Sequence, residues 1–298
     1  MLLRCSLALA LVLTVFARDA HAQPHGAANP TPRGSLDAEQ TRRYWMADAY
    51  ALAGFNQLQG ALFVGLRHRW DRARNSNVLL DNRRFELGLE SNINPAFTSL
   101  GAYIEWTPLQ ILQLRMQTDV YGYYGIFGAI LGISDRAAPY GDDVRHHREA
   151  EGRAGIVQRA LGRVSLRGQL GPVILVNTTD VAAYALHGSE PYWIILEHDL
   201  LIARRDVLIQ NEVQLLIEPY RHADHRGLYV GLYHLVAATA VAQVRRQKIA
   251  ALSEWVFAAK LGPFARPRAI VTVGMHLEDR NRQNSFFGIA ALGAEFDL

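Results

Sequence analysis

Arg159, Arg163 and Arg167 recur every fourth residue within one stretch of the chain. On an extended backbone an even spacing puts all three on one face. Glu86, Glu90, Glu105, Asp119, Glu197, Glu212, Glu218, Glu254 and Glu295, with Arg84 and Arg115, also fall on the polar side of segments that alternate apolar and polar residues. Arrays of both signs have two uses. Paired with one another, they fill a poorly solvated interior. Set along a water-filled path, they select ions or small charged solutes. Carboxylates outnumber arginines in this set, so a path lined by it is expected to favour cations.

Other residue types could support hydrolysis or metal binding. His187-Gly188-Ser189-Glu190, and His276 near Glu278, hold a hydroxyl, imidazoles and carboxylates. Neighbours in one loop seldom form a working triad, however, and no G-x-S-x-G sequence is present. His222-x-x-His225 with Asp224 between, and His146-His147 beside Asp142-Asp143, offer imidazoles to a metal. Both lie in polar loops, where solvated histidines are commoner. There is no Walker loop, dinucleotide fingerprint, EF-hand or H-E-x-x-H. The reading is therefore a non-enzyme with no catalytic residue, no metal and no cofactor; a lipid-acting hydrolase is the alternative.

The elements that must position these residues read as strands. Arg84–Glu90 alternates strictly, with Phe85, Leu87 and Leu89 opposite Arg84, Glu86 and Glu90. The segments around Ala102–Trp106, Leu112–Gln117, Val164–Arg167, Val207–Glu218 and Ala269–Glu278 repeat the pattern. Twelve strands are expected, with ten to fourteen possible: about 60–69, 83–93, 98–107, 110–122, 155–170, 172–186, 191–202, 206–219, 227–243, 248–261, 268–278 and 285–298. Most approach the ~9–11 residues a tilted strand needs to cross a bilayer. Short links such as Gly171-Pro172 imply antiparallel hairpins. The long connection 123–153 then falls on the same side as the termini, where turns should be short; a strand missed in 124–133 or 44–56 would repair this.

Composition sets the outer bounds. Of 298 residues, 50% are hydrophobic and 20% charged, which fits a folded chain. A net charge of +3 without a dense basic run argues against nucleic acid as a partner. Met1–Arg4, the apolar run to Phe16 and Ala20-His21-Ala22 read as a secretory signal cleaved after Ala22. The only cysteine, Cys5, lies in that leader, so the processed chain is expected to hold no thiol or disulfide. The longest later apolar run, Leu228–Val244, is interrupted by His234, Thr239 and Gln243, so membrane entry would be by strands. The expected organisation is a signal peptide at 1–22, a flexible lead with a possible short helix at 23–58, and a β-barrel domain at 59–298.

The last strand sharpens the class. Leu298, Phe296, Ala294, Leu292, Ala290 and Phe286 share one face, ending on an apolar residue with an aromatic two before it. With the alternation upstream, the chain resembles Gram-negative outer-membrane β-barrel proteins, although Leu stands where a final Phe is usual. The resemblance implies an all-β, closed antiparallel transmembrane barrel with apolar residues towards lipid and polar ones towards the lumen. It implies an outer-membrane location, lipid and the barrel-assembly machinery as partners, and a structural role or a narrow channel. Trp106, Tyr192, Trp193, Trp255 and Phe296 would sit in aromatic girdles. A soluble exported β-barrel binding module, with its apolar face inward, is the competing expectation.

Overall fold

The computed structural model describes residues 42–55, 59–72, 83–126, 131–195, 198–221 and 226–297. The expected signal peptide, Glu197, His222 and His225 lie outside them.

Alternation produces strands wherever one face must meet water or ions and the other must not. The order is β1 (Arg42–Phe55), β2 (Gln59–Asp71), β3 (Arg84–Asn94), β4 (Phe97–Leu109), β5 (Leu112–Tyr124), β6 (Leu131–Ile133), α1 (Asp142–His147), β7 (Ala154–Leu170), β8 (Val173–Leu186), β9 (Tyr192–Ile195), β10 (Leu200–Ala203), β11 (Arg205–Arg221), β12 (Gly227–Thr239), β13 (Arg245–Val256), β14 (Lys260–Leu261), β15 (Phe264–Glu278) and β16 (Phe286–Asp297). Twelve of them pair antiparallel in the cycle β1, β2, β3, β4, β5, β7, β8, β11, β12, β13, β15, β16. Ala49 opposite Ala294 closes the ring, which leaves no lateral edge in it.

Exposure shows which way the alternation faces. Outward Leu100 and Met116 are 62% and 73% exposed, whereas inward Asp119 and Glu86 are 1% and 2% exposed. A soluble barrel would carry the opposite pattern, so the binding-module alternative fails here. The fold is a closed, antiparallel transmembrane β-barrel. Outward Trp45, Trp106 and Trp255 mark its terminal end, and Phe55, Tyr124 and Phe286 the other. From Trp45 to Phe55, strand rise and a ~40° tilt give a height of ~25 Å, matching the usual apolar band.

Twelve is the expected number, but two assignments change. β1 occupies 42–55, which the sequence reading put outside the barrel domain, as lead with a possible short helix or a first strand. Its outward face runs Trp45, Ala47, Ala49, Ala51, Ala53, Phe55, and small alanines blur a period of two; the barrel therefore begins at 42 rather than 59. Conversely, 191–202 is not a barrel strand. β9 and β10 pair with each other, and β9 also pairs with β6, in a separate three-stranded sheet. All of β10 and most of β9 are buried. Apolar on both faces, they suit a core and not a boundary between lipid and lumen. Tyr192 and Trp193 belong to this sheet and not to a girdle.

Adding β1 also corrects the direction of the long connection. The 125–153 segment follows the fifth barrel strand and lies at the end opposite the termini, as do 187–204, 240–244 and 279–285. At the terminal end, 110–111 and 171–172 are tight turns, Gly171 taking φ 57°, while the link between β2 and β3 spans 72–83.

Candidate functional site: a charged lumen beneath a loop cap

The inward faces of the strands build two unlike walls. On β8, β11, β12 and β13 the wall is largely apolar: Val176, Tyr184, Leu208, Leu216, Leu235 and Leu252 join one core with Ile194, Leu201 and Ile202 of the inserted sheet. This explains the long apolar run in β12, whose inner face meets core and whose outer face is apolar too. Of the polar residues expected there, Glu212 and Glu254 do face inward and are buried, and Glu218 sits on the inward side near the terminal rim.

On β1 to β7 the wall is charged. Arg69 donates to Glu86 at 2.6 Å, and Arg84 lies 3.0 Å from Glu86 and 3.1 Å from Glu105. Arg115 reaches Glu90 at 2.5 Å and stacks 3.7 Å over the Tyr103 ring. Gln117 donates to Glu90 and, at 2.6 Å, to Asp119, which accepts from Arg159 at 2.6–2.8 Å. Arg163 grips Asp180 through two bonds of 2.6 and 2.7 Å, and Arg167 donates to Gln113. Across the β1–β16 seam, Arg67 faces Asp48 at 3.4 Å and Glu295 at 3.6 Å, while Arg268 faces Glu254 at 3.3 Å and donates to Tyr50. Placed inside a narrow barrel, each charge needs a partner, and alternating signs provide it. Register does the positioning: Gly88 opposite Tyr103 leaves space for that ring, since a Cβ there would lie 2.3 Å from it.

The sequence reading thus located Glu86, Glu90, Glu105, Arg115, Asp119, Arg163, Arg167 and Glu295 on one inner surface. It missed Asp48, Arg67, Arg69 and Arg268. Asp48 and Arg67 were available as the polar phase of β1 and β2, but β1 had not been recognised as a strand.

Above this wall the loops form a cap. Asp199 is its centre: Arg145 of α1 lies at 2.7 Å, Arg282 at 3.0 Å and Arg246 at 3.5 Å. Arg246 also binds Asp279 at 2.5 Å and donates to the backbone carbonyls of His198 and Asp199. Asp206 anchors the hairpin, accepting from the N–H of Ala203, Val207, Val241 and Ala242 at 2.8–3.0 Å. Outside, Arg136 donates to Gln243, and Arg280 to the carbonyls of Arg136 and Ala137. None of these was a sequence candidate; they come from four loops and the adjoining starts of β11 and β13, and no local spacing connects them.

Among the described residues, the other candidates of the sequence lie apart from one another. His187 and Ser189 are exposed in the 187–191 loop, while His276 is fully buried, 3.6 Å from Asp279. His146 and His147 lie exposed on α1. Among the described residues no three His, Cys, Asp or Glu groups gather as metal ligands.

The cap carries a pH dependence. Burial pushes the Asp279 carboxyl up, but the His276 ring, the Arg246 charge and the Asn281 N–H outweigh it and hold it well below the ordinary carboxylate range. A carboxyl whose folded pKa is depressed stabilises the fold above its unfolded pKa of ~4, and that contribution is lost as pH falls through the folded value. The expected outcome is a cap whose cleavage by added protease rises steeply below about pH 4. In Asp279→Asn, cleavage at neutral pH should already be raised and its acid dependence reduced. The same acid dependence below about pH 4 in the parent and in a folded Asp279→Asn variant would contradict the assignment.

No family model matches the chain, and no curated protein does. Among solved structures, the β domain of the Bordetella autotransporter BrkA aligns over 86% of this chain and 98% of its own, with TM-score 0.42 and 10% identity. An outer membrane channel from Pseudomonas putida F1 aligns over 88% and 99%, with TM-score 0.39 and 10% identity. OmpT, an outer membrane protein of Vibrio cholerae, aligns over 88% and 99%, with TM-score 0.36 and 8% identity. This chain is a capped twelve-stranded barrel. Its interior has to be read from its own residues.

Proposed function

We propose that the protein resides in an outer membrane as a channel held closed by its own loops, with both termini in the periplasm and the cap facing outward. The observation that carries this is the division of the interior. An apolar hairpin and an ion-pair cluster fill the capped end, while a polar wall around a small, partly open cleft occupies the terminal half. A purely structural barrel could fill its lumen with side chains throughout, without inserting a loop sheet. The cavity wall holds Arg67, Arg69, Arg84, Arg115, Arg163 and Arg167 against Glu86 and Glu105, so the preference expected of it is for anions. This reverses the cation preference inferred from the whole carboxylate set, because Asp119, Glu212, Glu254 and Glu295 do not line this cavity.

The test is conductance of the detergent-refolded protein in a planar bilayer across a salt gradient. The expected record is long closed periods with discrete, anion-directed openings, more frequent when the cap is weakened. A folded, inserted protein that stays silent even with the cap disrupted would leave a structural barrel.

A further inference from the structure

The terminal half of the lumen concentrates guanidinium groups beyond what ion pairing among the cavity-lining residues accounts for. Six arginines and two glutamates line it, with Tyr103, Gln113 and Ser165 adding neutral polar groups. Glu86 is shared by Arg69 and Arg84, and Glu105 by Arg84 and Arg115, so both carboxylates are already engaged. The remaining acids pairing with this wall, Asp48, Glu90, Asp180 and Glu295, lie outside the cavity lining. Buried donor atoms are left over. Arg67 Nη2 reaches Glu295 only at 3.6 Å, beyond hydrogen-bond distance, and Arg67 Nε and Arg115 Nε have no hydrogen-bond acceptor, although both side chains are about nine-tenths buried. Buried N–H groups normally find an acceptor, and leaving one unmet costs free energy.

The residue type narrows what the acceptor is. Arginine offers a planar fork that matches the paired oxygens of a carboxylate or phosphate, and it remains charged when poorly hydrated. Its donors are also held in place. Arg115 is pinned on Tyr103, whose ring has space only because Gly88 lies opposite, and Arg163 is fixed by Asp180. A site preorganised in this way loses little side-chain freedom on binding.

We infer that this wall is a binding site for a small oxyanion, the chemistry shared by carboxylates and phosphates, entered from the terminal end of the barrel. The site rests on the reading of the lumen as a solute-facing compartment. Arg67, Arg84, Arg115 and Arg167 supply the forks, with Tyr103, Gln113 and Ser165 beside them. Asp119–Arg159 lies closer to the cap on β5 and β7, so the site is a dead end until the cap moves.

The test is calorimetric titration of inorganic phosphate, and separately of succinate, into the refolded full chain in zwitterionic detergent at constant chloride and ionic strength. Saturable binding of either probe is expected, weakened at least tenfold in Arg84→Gln/Arg167→Gln and unchanged in Arg245→Gln, an exposed arginine at the cap end. Binding of phosphate alone would assign the site to phosphates, of succinate alone to carboxylates, and of both to oxyanions in general. The heat-modifiable band of unboiled samples confirms that each variant is folded. If the double variant misfolds, Gln113→Ala/Ser165→Ala takes its place, and a fivefold weakening is expected. No saturable heat with either probe, or equal affinity in folded variants, would overturn the site. Conductance is recorded in parallel: openings without oxyanion binding would overturn this site only, and binding without openings would overturn the channel reading only.

Discussion

Asp199→Asn is expected to convert a mostly closed barrel into one that opens frequently. Asp199 takes three guanidiniums, those of Arg145, Arg246 and Arg282, from three different parts of the chain, and its own side chain is only 3% exposed. Burial lowers the pKa of Arg145 and of Arg282, and the Asp199 charge opposes that in both. Removing the charge takes away the carboxylate that Arg145, Arg246 and Arg282 share, while Arg246 keeps Asp279. Breaking one partner out of a buried pair costs on the order of 3–5 kcal/mol, so the closing equilibrium should shift a hundredfold or more. The substitution is gentle to the backbone, because Asp199 has φ 51° and Asn adopts that region readily. Open probability in a planar bilayer reads the result directly. Unchanged gating in a folded variant would mean that the ion pairs at Asp199 do not hold the cap.

The second large effect is on the outer surface. Leu89 is 52% exposed at the middle of β3, on the face that alternation turns towards lipid. Arginine there should cost ~2–4 kcal/mol, the range for a cation at the bilayer midplane on a barrel's lipid face. Leu170→Arg, on the outward side at the terminal tip of β7 where the parent residue is 86% exposed, should cost ~0–1 kcal/mol. Reversible denaturant unfolding in phospholipid vesicles measures both. Equal costs at the two positions would mean that the β3 face does not lie in hydrocarbon.

The balance between what was legible in the sequence and what was not follows from the range of the forces involved. Alternation is local, so β3, β4 and β5 could be read within a few residues of their bounds, and with them the inward positions of Glu86, Glu105 and Arg115. β1 was obscured because alanine is a weak marker of either face. Tyr192–Ile195 and Leu200–Ala203 read as strand, which they are, but sequence cannot tell a strand that meets lipid from one buried in a lumen. The twelve-strand count held because these two errors offset each other. The conflict over the 123–153 connection was the visible trace of them, since a closed antiparallel barrel forces every connection to alternate ends. The cap was illegible for another reason. Arg145, Asp199, Arg246 and Asp279 meet only because three connections converge with the start of β13 over one end of the barrel. Arg246 falls between the expected strands 227–243 and 248–261, yet it is buried on the inward side of β13.

The proposed topology puts the cap loops outside the cell and the terminal-end connections in the periplasm. The only cysteine is Cys5, in the expected leader, so single-cysteine labelling of whole cells has a clean background. Three positions decide it: Ser189→Cys in a cap loop, Gln110→Cys in the turn between β4 and β5, and Leu89→Cys on the mid-strand outer face. With a membrane-impermeant maleimide, the account predicts labelling of Ser189→Cys in intact cells and of Gln110→Cys only after the outer membrane is permeabilised. Leu89→Cys should stay unlabelled until the protein is denatured. Labelling of Gln110→Cys but not Ser189→Cys in intact cells would invert the topology, and free labelling of Leu89→Cys in the folded protein would contradict the membrane barrel itself.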